Sequence, residues 1–568
     1  MAICNAESVG SQSPGLTVLG LPRVTYHNNN LFGPFSPTEN IGDGGTKIRG
    51  EGEGEGPRQN AAGTANATRL PVKRRVPRIL SLRTLLSAFA LLLSLAPFST
   101  PADAAGPKIH IVIAAEADPL EKFAAEEMSG QLKKLFGAET TIATSAPTEA
   151  ENVILLGNPV THAAMKDLNP APPTLAADGH VLVSLKTGDR TILVVAGGGP
   201  RAVLWGAYEL GWQFGVRYFT FGDLYPTSPK PFTLAGFELG PHRLLPGGMF
   251  RLEMSSPVGQ ASWGADELRR CLVQLAKLKV EQIWIDSSRA KIVPFTASLR
   301  IPVDGDTAGR SAFGGKKYFE NPDLAAAADA AARQAAAGKV FDVLREESAR
   351  RKFEFFEAGG TSPAYLLPTV DDFQWLARAR GGIGAAPTAE EYAEILTPVC
   401  GDEVSVRVQK GFSEVSAALG RTAAGESRFD LVDPQMFLRQ FASDEPPPAW
   451  WGEVRTNYLN AMNEMYRANT RAREGGRQFT LWYARRFEFG MEYMNVVEAL
   501  RKAGIAKRKG NKDEQIAELE KALDSITGAC NAIAATARSQ SDRGIIAVMN
   551  EYGYRPVTKL LEEADASN

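Results

Sequence analysis

The feature that most constrains the fold is the small amount of chain between residues 248 and 382. This region alternates β-rich runs with helical ones: GMFRLEM, EQIWID and KFEFFEAGG are separated by GADELRRCLVQLAKLKV and NPDLAAAADAAARQAAAGKVFDVLREESARR. Such alternation predicts βαβ units and a parallel sheet. A closed barrel of eight units takes about 250 residues, whereas this region spans 135. We therefore predict an incomplete (β/α)8-like barrel over residues 248–382.

The segment that follows the third β-rich run also has the character of core. Its sequence, AYLLPTVDDFQWLARARGG, occupies residues 364–382 and begins only a few residues after KFEFFEAGG ends. We expect this segment to be the closing unit of the barrel. The chain then passes from about the third strand to about the eighth, and the middle of the barrel is missing.

Residues 107–245 predict a small α/β domain. KIHIVI, NVILLG, HVLVSL and TILVVAG are β-rich runs, and PLEKFAAEEMSGQLKKLFG has the apolar stripe of an amphipathic helix. The turn AGGGPRAVLWG follows a strand and opens a helix, which is a setting that can bind an anion. It has neither the GxGxxG spacing nor the Lys-Ser/Thr of a phosphate loop. We therefore predict that these glycines only form the turn.

In strand order and closing motif, residues 107–245 resemble the domain that precedes the catalytic barrel in bacterial α-glucuronidases and β-hexosaminidases. The closing motif is a strand, then Gly-x-x-Arg-x-x-x-x-Gly, then GVRYF. The resemblance implies a domain without chemistry of its own, packed against a barrel, in a secreted glycoside hydrolase. In those barrels the essential acids lie on middle and later strands, which have no counterpart here, so none can be transferred by motif.

The C-terminal part of the chain, residues 388–568, predicts a helical domain. Residues 449–472, 478–503 and 512–539 carry apolar side chains at helical spacing, with Gly, Pro and charged clusters between them. The predicted fold class is thus α/β plus all-α. It comprises a small α/β domain, an incomplete barrel and a helical domain.

The N-terminal part of the chain predicts export. Residues 1–70 are rich in Gly, Asn, Ser and Pro, and we expect them to be disordered or a leader assigned in error, with the true start near Leu70 or Val76. Residues 71–104 predict a signal peptide that ends at Ala102-Asp103-Ala104. Its apolar run is too short for a membrane helix. We expect cleavage, no stable transmembrane span afterwards, and a periplasmic or extracellular protein; the alternative is an uncleaved anchor.

Composition argues against several classes of function. The net charge is −2, with 63 basic and 65 acidic side chains, which is not the footprint of a nucleic-acid-binding protein. Five His residues and no CxxC or HExxH motif leave little from which to build a zinc site. We predict no metal and no cofactor. Three widely spaced Cys after the signal peptide predict no disulfide framework.

Three acidic residues lie where a barrel places its catalytic groups. Glycoside hydrolysis generally needs two carboxyl groups that flank the scissile bond, and barrels carry them at the C-terminal ends of strands. Glu253, Asp286 and Glu357 meet this positional test, so we predict them as catalytic candidates. Each has a structural alternative: Glu253 can pair with Arg251 or cap a helix, and Asp286 can cap a turn. Glu357 is the best candidate for the acid, because an apolar strand would raise its pKa.

Three further residues are predicted substrate contacts: Arg251, Trp284 and Asp371. An indole such as that of Trp284 can stack on a sugar ring, although a Trp inside a strand is more often core. Asp371 adjoins Asp372, which we expect to cap the helix FQWLARA.

The sequence therefore predicts a glycoside-hydrolase-like protein of polysaccharide metabolism, acting on uronic-acid or amino-sugar glycans, with hydrolysis impaired by the short barrel. An active hydrolase, a non-catalytic carbohydrate-binding or structural relative, and a chain shortened by a deletion all remain alternatives. The predicted partner is an oligosaccharide or polysaccharide. Strand ends covered by the helical domain would favour an inactive protein, whereas opposed carboxylates in a cleft would favour an enzyme.

Overall fold

A computed structural model describes most of the chain after the predicted signal peptide. The described residues are 106–188, 190–243, 249–252, 258–287, 293–294, 321–359, 364–379, 387–424 and 429–566. The predicted leader and signal peptide, residues 1–104, lie outside them, as does Glu253.

The N-terminal domain is built on a six-stranded mixed sheet. The six strands of this sheet are β1 (Lys108–Val112), β2 (Glu139–Ala143), β3 (Asn152–Gly157), β4 (Gly179–Thr187), β5 (Arg190–Gly197) and β8 (Glu238–Arg243). Two further strands, β6 (Arg217–Phe219) and β7 (Gly222–Leu224), form a separate antiparallel hairpin. The order across the sheet is β2-β1-β3-β5-β4-β8. Strands β2, β1, β3 and β5 are parallel, while β4 pairs antiparallel with β5 and β8. The predicted α/β domain is thereby confirmed.

Local sequence explains the main helices of this domain. They are α1 (Pro119–Phe136), α2 (Ala163–Lys166) and α3 (Pro200–Gln213). Helix α1 begins with a capping box, in which Asp118 and Glu121 bind each other's backbone N–H groups, and ends at Gly137 in the left-handed region, with φ 63°. The face of α1 that includes Leu120, Met128 and Leu132 is buried in the core.

The glycine-rich turn before α3 permits a close approach of two backbone segments. A Cβ atom on Gly198 would lie 1.9 Å from the carbonyl oxygen of Ala176, so no other residue fits there. Helix α3 starts directly after this turn, with Pro200 at its first position. The glycines thus form the turn, as the sequence predicts.

A second sheet contains the parallel strands expected of a partial barrel. The elements of this region are β9 (Met249–Leu252), α4 (Ala265–Lys277), β10 (Gln282–Ser287), β11 (Val293–Pro294), α5 (Pro322–Ala325), α6 (Ala330–Arg351), β12 (Glu354–Gly359) and α7 (Asp371–Ala379). Strand β10 lies between β9 and β12 and is parallel to both, and the unexpected β11 pairs antiparallel with β12. Helices α4 and α6 lie in the connections between the parallel strands, as predicted.

The closing barrel strand expected after β12 is not part of this sheet. Among the described residues the sheet has the order β11-β12-β10-β9. Residues 364–370 instead form an isolated antiparallel bridge, Tyr365 with Leu431, to a loop of the helical domain. Leu431 lies far from Tyr365 along the chain, and no local sequence pattern predicts this pairing. A closed barrel is thus not found in the described residues.

The C-terminal part is helical, as predicted. Its helices are α8 (Ala389–Cys400), α9 (Val404–Ala424), α10 (Met436–Ala442), α11 (Trp451–Arg471), α12 (Glu474–Arg508), α13 (Lys512–Ala534), α14 (Gln540–Val548) and α15 (Arg555–Ala566), with a π-helical turn, Met549–Tyr554, between the last two. No helix among the described residues has both the length and the apolar character needed to cross a membrane.

A cluster of aromatic rings joins the three parts of the chain. We call it the aromatic junction: Phe219, Phe221, Phe373, Phe479 and Trp482. The Phe479 ring on α12 lies 5.1 Å from that of Phe219 in β6 and 6.4 Å from that of Phe373 in α7, and the Trp482 ring lies 5.7 Å from that of Phe221. All five side chains are buried. One continuous core therefore spans both sheets and the helical domain.

Polar contacts fix the N-terminal domain to its neighbours. The Lys279 ammonium, just after α4, lies 2.8 Å from the Glu209 carboxylate of α3, and both side chains are almost completely buried. The Arg217 guanidinium stacks over the Trp212 ring at 3.9 Å and donates to the Glu394 carbonyl of α8 at 2.7 Å. The first contact joins the N-terminal domain to the region of the second sheet, and the second joins it to the helical domain.

We predict that Lys279→Met destabilises the protein by about 3–5 kcal/mol, because Glu209 would lose the cation that compensates its buried charge. The free energy of unfolding in urea measures this effect. The control is Lys502→Met, which removes an exposed partner of Glu498 and should cost at most about 1 kcal/mol. Equal losses in the two variants would contradict the structural role of the buried pair.

Candidate functional site

The candidate site lies on the second sheet and at the C-terminal ends of its parallel strands. Asp286 is in register with Ala358, and Glu357 is in register with Ile285, so the two acids occupy neighbouring strands, one step apart. The described part of the chain does not include their side chains. The catalytic roles of Asp286, Glu357 and Glu253 therefore stay predictions.

Two of the predicted substrate contacts do come together. Arg251 on β9 is in register with Trp284 on β10, which in turn is in register with Phe356 on β12. We call these three residues the aromatic-cationic row. All three side chains are half-buried, and the Trp284 and Phe356 rings lie 5.9 Å apart at 45°. Phe356 is the member that sequence analysis missed, although its place in the same β-rich run was visible.

The two faces of this sheet differ sharply in burial. The residues that alternate with the row, Leu252, Ile283 and Phe355, are 0%, 0% and 7% exposed, respectively. They belong to the continuous core, together with Leu272 of α4 and Leu344 of α6. Because successive side chains of a strand point to opposite faces, one face of the sheet is core and the other carries the row. Glu354 lies on the side of the row and is exposed.

The described part of the connection after β9, residues 258–264, packs against the helical domain. The indole N–H of Trp263 donates to the Ser541 hydroxyl of α14 at 2.6 Å, and that hydroxyl donates to the Gly259 carbonyl at 3.2 Å. The backbone N–H of Gln540 donates to the Glu267 carboxylate at 2.9 Å. Trp263 is 1% exposed, so it is a packing residue and not a surface platform for a sugar.

The segment that follows β12 is held by the helical domain in the same way. The Leu366 N–H donates to the Asp430 carbonyl at 3.0 Å, and the Val432 N–H donates to the Ala364 carbonyl at 2.9 Å. The Tyr458 hydroxyl of α11 donates to the Pro368 carbonyl at 3.0 Å. The described parts of two strand-end loops, residues 258–264 and 364–370, thus pack against the helical domain. The loop after β10 lies largely outside the described residues.

Two buried aspartates lie near these loops. Asp372 is not the expected helix cap: α7 begins at Asp371, and Asp372 lies buried in its first turn. Burial raises the pKa of Asp372 to about 7, and the neighbouring Asp371 charge adds to the increase, while Thr220 and Arg486 oppose it. Asp371, a predicted substrate contact, is half-buried. Its N–H lies 3.4 Å from the Thr369 hydroxyl oxygen, which accepts the hydrogen bond.

Asp430 is the second buried aspartate, and no sequence pattern singles it out. Burial raises its pKa to about 7, although backbone N–H groups, including that of Leu367, favour its charged form. A carboxyl group with such a pKa has the property of a general acid. Asp372 and Asp430 nevertheless are only 9% and 6% exposed. Their position between packed elements indicates a structural role in joining the strand-end segment to its surroundings.

The described residues hold no cluster of three or more His, Cys, Asp or Glu side chains that could bind a metal ion. Cys271, Cys400 and Cys530 are free thiols.

Comparison with known proteins supports the resemblance in its coarser form. Residues 103–210 match the family model described as "Glycosyl hydrolase family 67 N-terminus". The chain is glycoside-hydrolase-like. The match covers β1 to most of α3 and so concerns a minor part of the chain. No curated protein matches the sequence. The finer assignment to α-glucuronidases or β-hexosaminidases stays a prediction.

Two solved structures are similar over most of the chain but only loosely. One is a family GH115 4-O-methyl-alpha-glucuronidase with specificity for decorated arabinogalactans. It matches with a TM-score of 0.43 and 11% sequence identity, and the match covers 79% of this chain and 80% of that chain. The other is a GH138 enzyme targeting pectin rhamnogalacturonan II. It matches with a TM-score of 0.38 and 10% sequence identity, and the match covers 81% of this chain and 100% of that chain. Both scores are too low to establish a shared fold.

We predict that the free energy of unfolding falls as pH rises from about 4 to about 7. The ordinary pKa of an aspartate is 3.8, and that of Asp430 in the folded protein is about 7. Between these two pH values the folded state retains a proton that the unfolded state has released. Stability is then lost across this window and is constant above it. A shift of about three units corresponds to about 4 kcal/mol. Asp372 adds an effect of the same sign.

Urea unfolding at a series of pH values measures this slope. In Asp430→Asn the slope should be clearly shallower, because the amide stays neutral at every pH. Asp444→Asn, which changes an exposed carboxyl, controls for the loss of one negative charge. Parallel curves for wild type and Asp430→Asn would show that Asp430 is not held protonated by the fold.

Proposed function

We propose that this chain is an exported, glycoside-hydrolase-like protein of polysaccharide metabolism that binds uronic-acid or amino-sugar glycans, and whose hydrolytic step is impaired. The observation that carries the proposal is the burial of the segments after β9 and β12 against the helical domain. Export is supported by the basic and apolar pattern of residues 71–104. The glycan as partner is supported by the match of residues 103–210 to a glycoside hydrolase domain.

Barrel enzymes build their sites from the loops at the C-terminal ends of the strands. In this chain the atoms of two such loops are used in packing: the Trp263 indole, the Pro368 carbonyl and the Leu366 N–H all bind groups of the helical domain. Opening a cleft at these strand ends would break those hydrogen bonds and expose apolar side chains. We therefore expect impaired hydrolysis, because a substrate could reach these strand ends only if the packing were broken.

An active hydrolase is the second candidate, and its basis is the strand-end position of two acids. Asp286 and Glu357 end neighbouring parallel strands, which lie about 4.8 Å apart. Retaining and inverting glycosidases hold their two carboxyl groups about 5–9.5 Å apart. The two acids are one residue out of register, so they belong to opposite faces of the sheet, and a shared site requires a bend at one of the strand ends. In this alternative Glu357 is the general acid, and Asp286 or Glu253 is the second carboxylate.

Hydrolysis and binding are measured separately. We expect aryl glycosides of glucuronic acid and of N-acetylglucosamine to be turned over no faster by the wild type than by Glu357→Gln. Oligosaccharides that contain these sugars should raise the melting temperature in a concentration-dependent way, because a ligand that binds only the folded state stabilises it. A neutral glucan of equal length is the control ligand.

Turnover that is abolished by Glu357→Gln would refute impaired hydrolysis and establish the enzyme. Absence of both turnover and thermal stabilisation with every glycan would refute the proposed function altogether. Sequencing the N-terminus of the protein recovered from outside the cytoplasm tests export, since cleavage is expected after Ala104.

A further inference from the structure

We propose that a pocket in the N-terminal domain binds a single sugar acid, either free or as the terminal residue of a glycan chain. The pocket has a volume of about 280 Å³ and lies where β3 and β5 end. The choice of a sugar acid rests on the proposed glycan-binding function, whereas the site itself follows from the residues that line the pocket. It does not involve the second sheet or its strand-end loops.

The pocket lies at the edge of the first sheet where such folds hold ligands. Strands β3 and β5 are parallel neighbours, and Asn158 and Gly198 are the residues that directly follow them. Both residues line the pocket. Open α/β sheets bind ligands outside the carboxyl ends of their parallel strands. All lining residues, and the chain on either side of them, belong to the described ranges 106–188 and 190–243.

Hydrogen bonds and close packing fix one wall of the pocket. The Asn158 side-chain amide donates to the Gly198 carbonyl at 2.8 Å, and its oxygen accepts from the Val160 N–H at 2.8 Å. Gly198 in turn packs so closely against Ala176 that a Cβ atom would lie 1.9 Å from the Ala176 carbonyl oxygen. The loop after β3 is thereby tied to the turn after β5. A wall that is ordered before the ligand arrives lowers the entropy that binding must offset.

The apolar part of the lining suits the C–H face of a sugar ring. It consists of Pro159, Val160, Met165, Ala171, Pro172, Pro173 and Leu175. Met165 is completely buried, and Leu175 packs against the same core cluster of the sheet. The prolines have restricted backbones, so this surface is also preformed. Val160 is 69% exposed, and removing part of this side chain from water would favour binding.

A cation without a partner gives the pocket a preference for anions. Lys166, at the end of α2, lines the pocket and is exposed, and its ammonium forms no ion pair or hydrogen bond with the described residues. The lining residues include no Asp or Glu, and Asp167 is not among them. A ligand carboxylate can therefore form a charge-assisted hydrogen bond with Lys166 without a competing carboxylate in the pocket.

The size and the remaining polar group limit the ligand to one sugar residue. Pockets for drug-sized ligands measure about 300–1,000 Å³, so a pocket of about 280 Å³ is suited to a single ring. The Thr174 hydroxyl lines the pocket and makes no hydrogen bond with the described part of the chain, which leaves it available to a sugar hydroxyl. A compact ring with hydroxyls and one carboxylate matches these features.

Isothermal titration calorimetry of the whole protein tests the ligand class. The probes are glucuronate, glucose and an oligosaccharide that ends in glucuronate. We expect glucuronate to bind about ten-fold more tightly than glucose, because only glucuronate offers a charged acceptor to Lys166. Its affinity should fall as NaCl is raised. Binding of the oligosaccharide distinguishes a site for the end of a chain from a site for the free acid.

Two variants locate the site, and each has a matched control. Ala171→Trp places a large side chain in the lining and should abolish glucuronate binding, whereas Ala164→Trp, at an exposed position of α2 outside the lining, should bind like the wild type. Lys166→Gln should weaken glucuronate binding about ten-fold and leave glucose unchanged. Its control is Lys122→Gln, which changes an exposed lysine of α1.

The outcomes separate this inference from the proposed function. Glucuronate that binds Ala171→Trp and Lys166→Gln as tightly as the wild type would overturn the site. Equal affinity of the wild type for glucose and glucuronate would overturn the ligand class. If neither glucuronate probe binds while amino-sugar oligosaccharides still raise the melting temperature, this inference fails and the proposed function stands. If no glycan binds at all, both fail.

Discussion

The fold depends on how the apolar side of a short sheet is removed from water. Among the described residues, three parallel strands and a two-residue edge strand form an open sheet, and such a sheet must bury at least one face against another layer. Here the buried face joins a core that continues through the aromatic junction into the N-terminal domain and the helical domain. In the part of the chain that the structure describes, this shared core stabilises the sheet, and no closed ring of strands does so.

This arrangement has a direct effect on the candidate site. In a closed barrel the inward face of each strand is filled and the strand-end loops are free to line a cleft. In the described parts of two of these loops, Trp263 and Pro368 instead bind groups of the helical domain.

Much of the fold could be predicted from local pattern. Helices α1 and α4 follow from their apolar spacing, and β1, β3, β5, β10 and β12 follow from β-rich runs bounded by turn residues. The parallel pairing of β9, β10 and β12 could be predicted from the alternation of strands with helices. The pairing of Tyr365 with Leu431 could not, because an antiparallel bridge between distant segments has no local signal.

The site was harder to predict than the fold, for a physical reason. Arg251 and Trp284 were named from residue type and strand position, but their alignment with Phe356 depends on the register between three strands, which is set by packing over the whole sheet. Asp372 shows the opposite error. An aspartate before an apolar helix normally caps it, yet here the helix starts one residue earlier and the Asp372 carboxyl is buried.

The long helix α12 has a consequence for how such a protein can change over generations. Its 35 residues extend about 52 Å at 1.5 Å per residue, and Phe479 near its start meets rings from both preceding parts of the chain. A recombination event that exchanged any one of the three parts for a foreign module would leave these rings facing an unmatched surface. The three parts are thus expected to be inherited together, as one evolutionary unit.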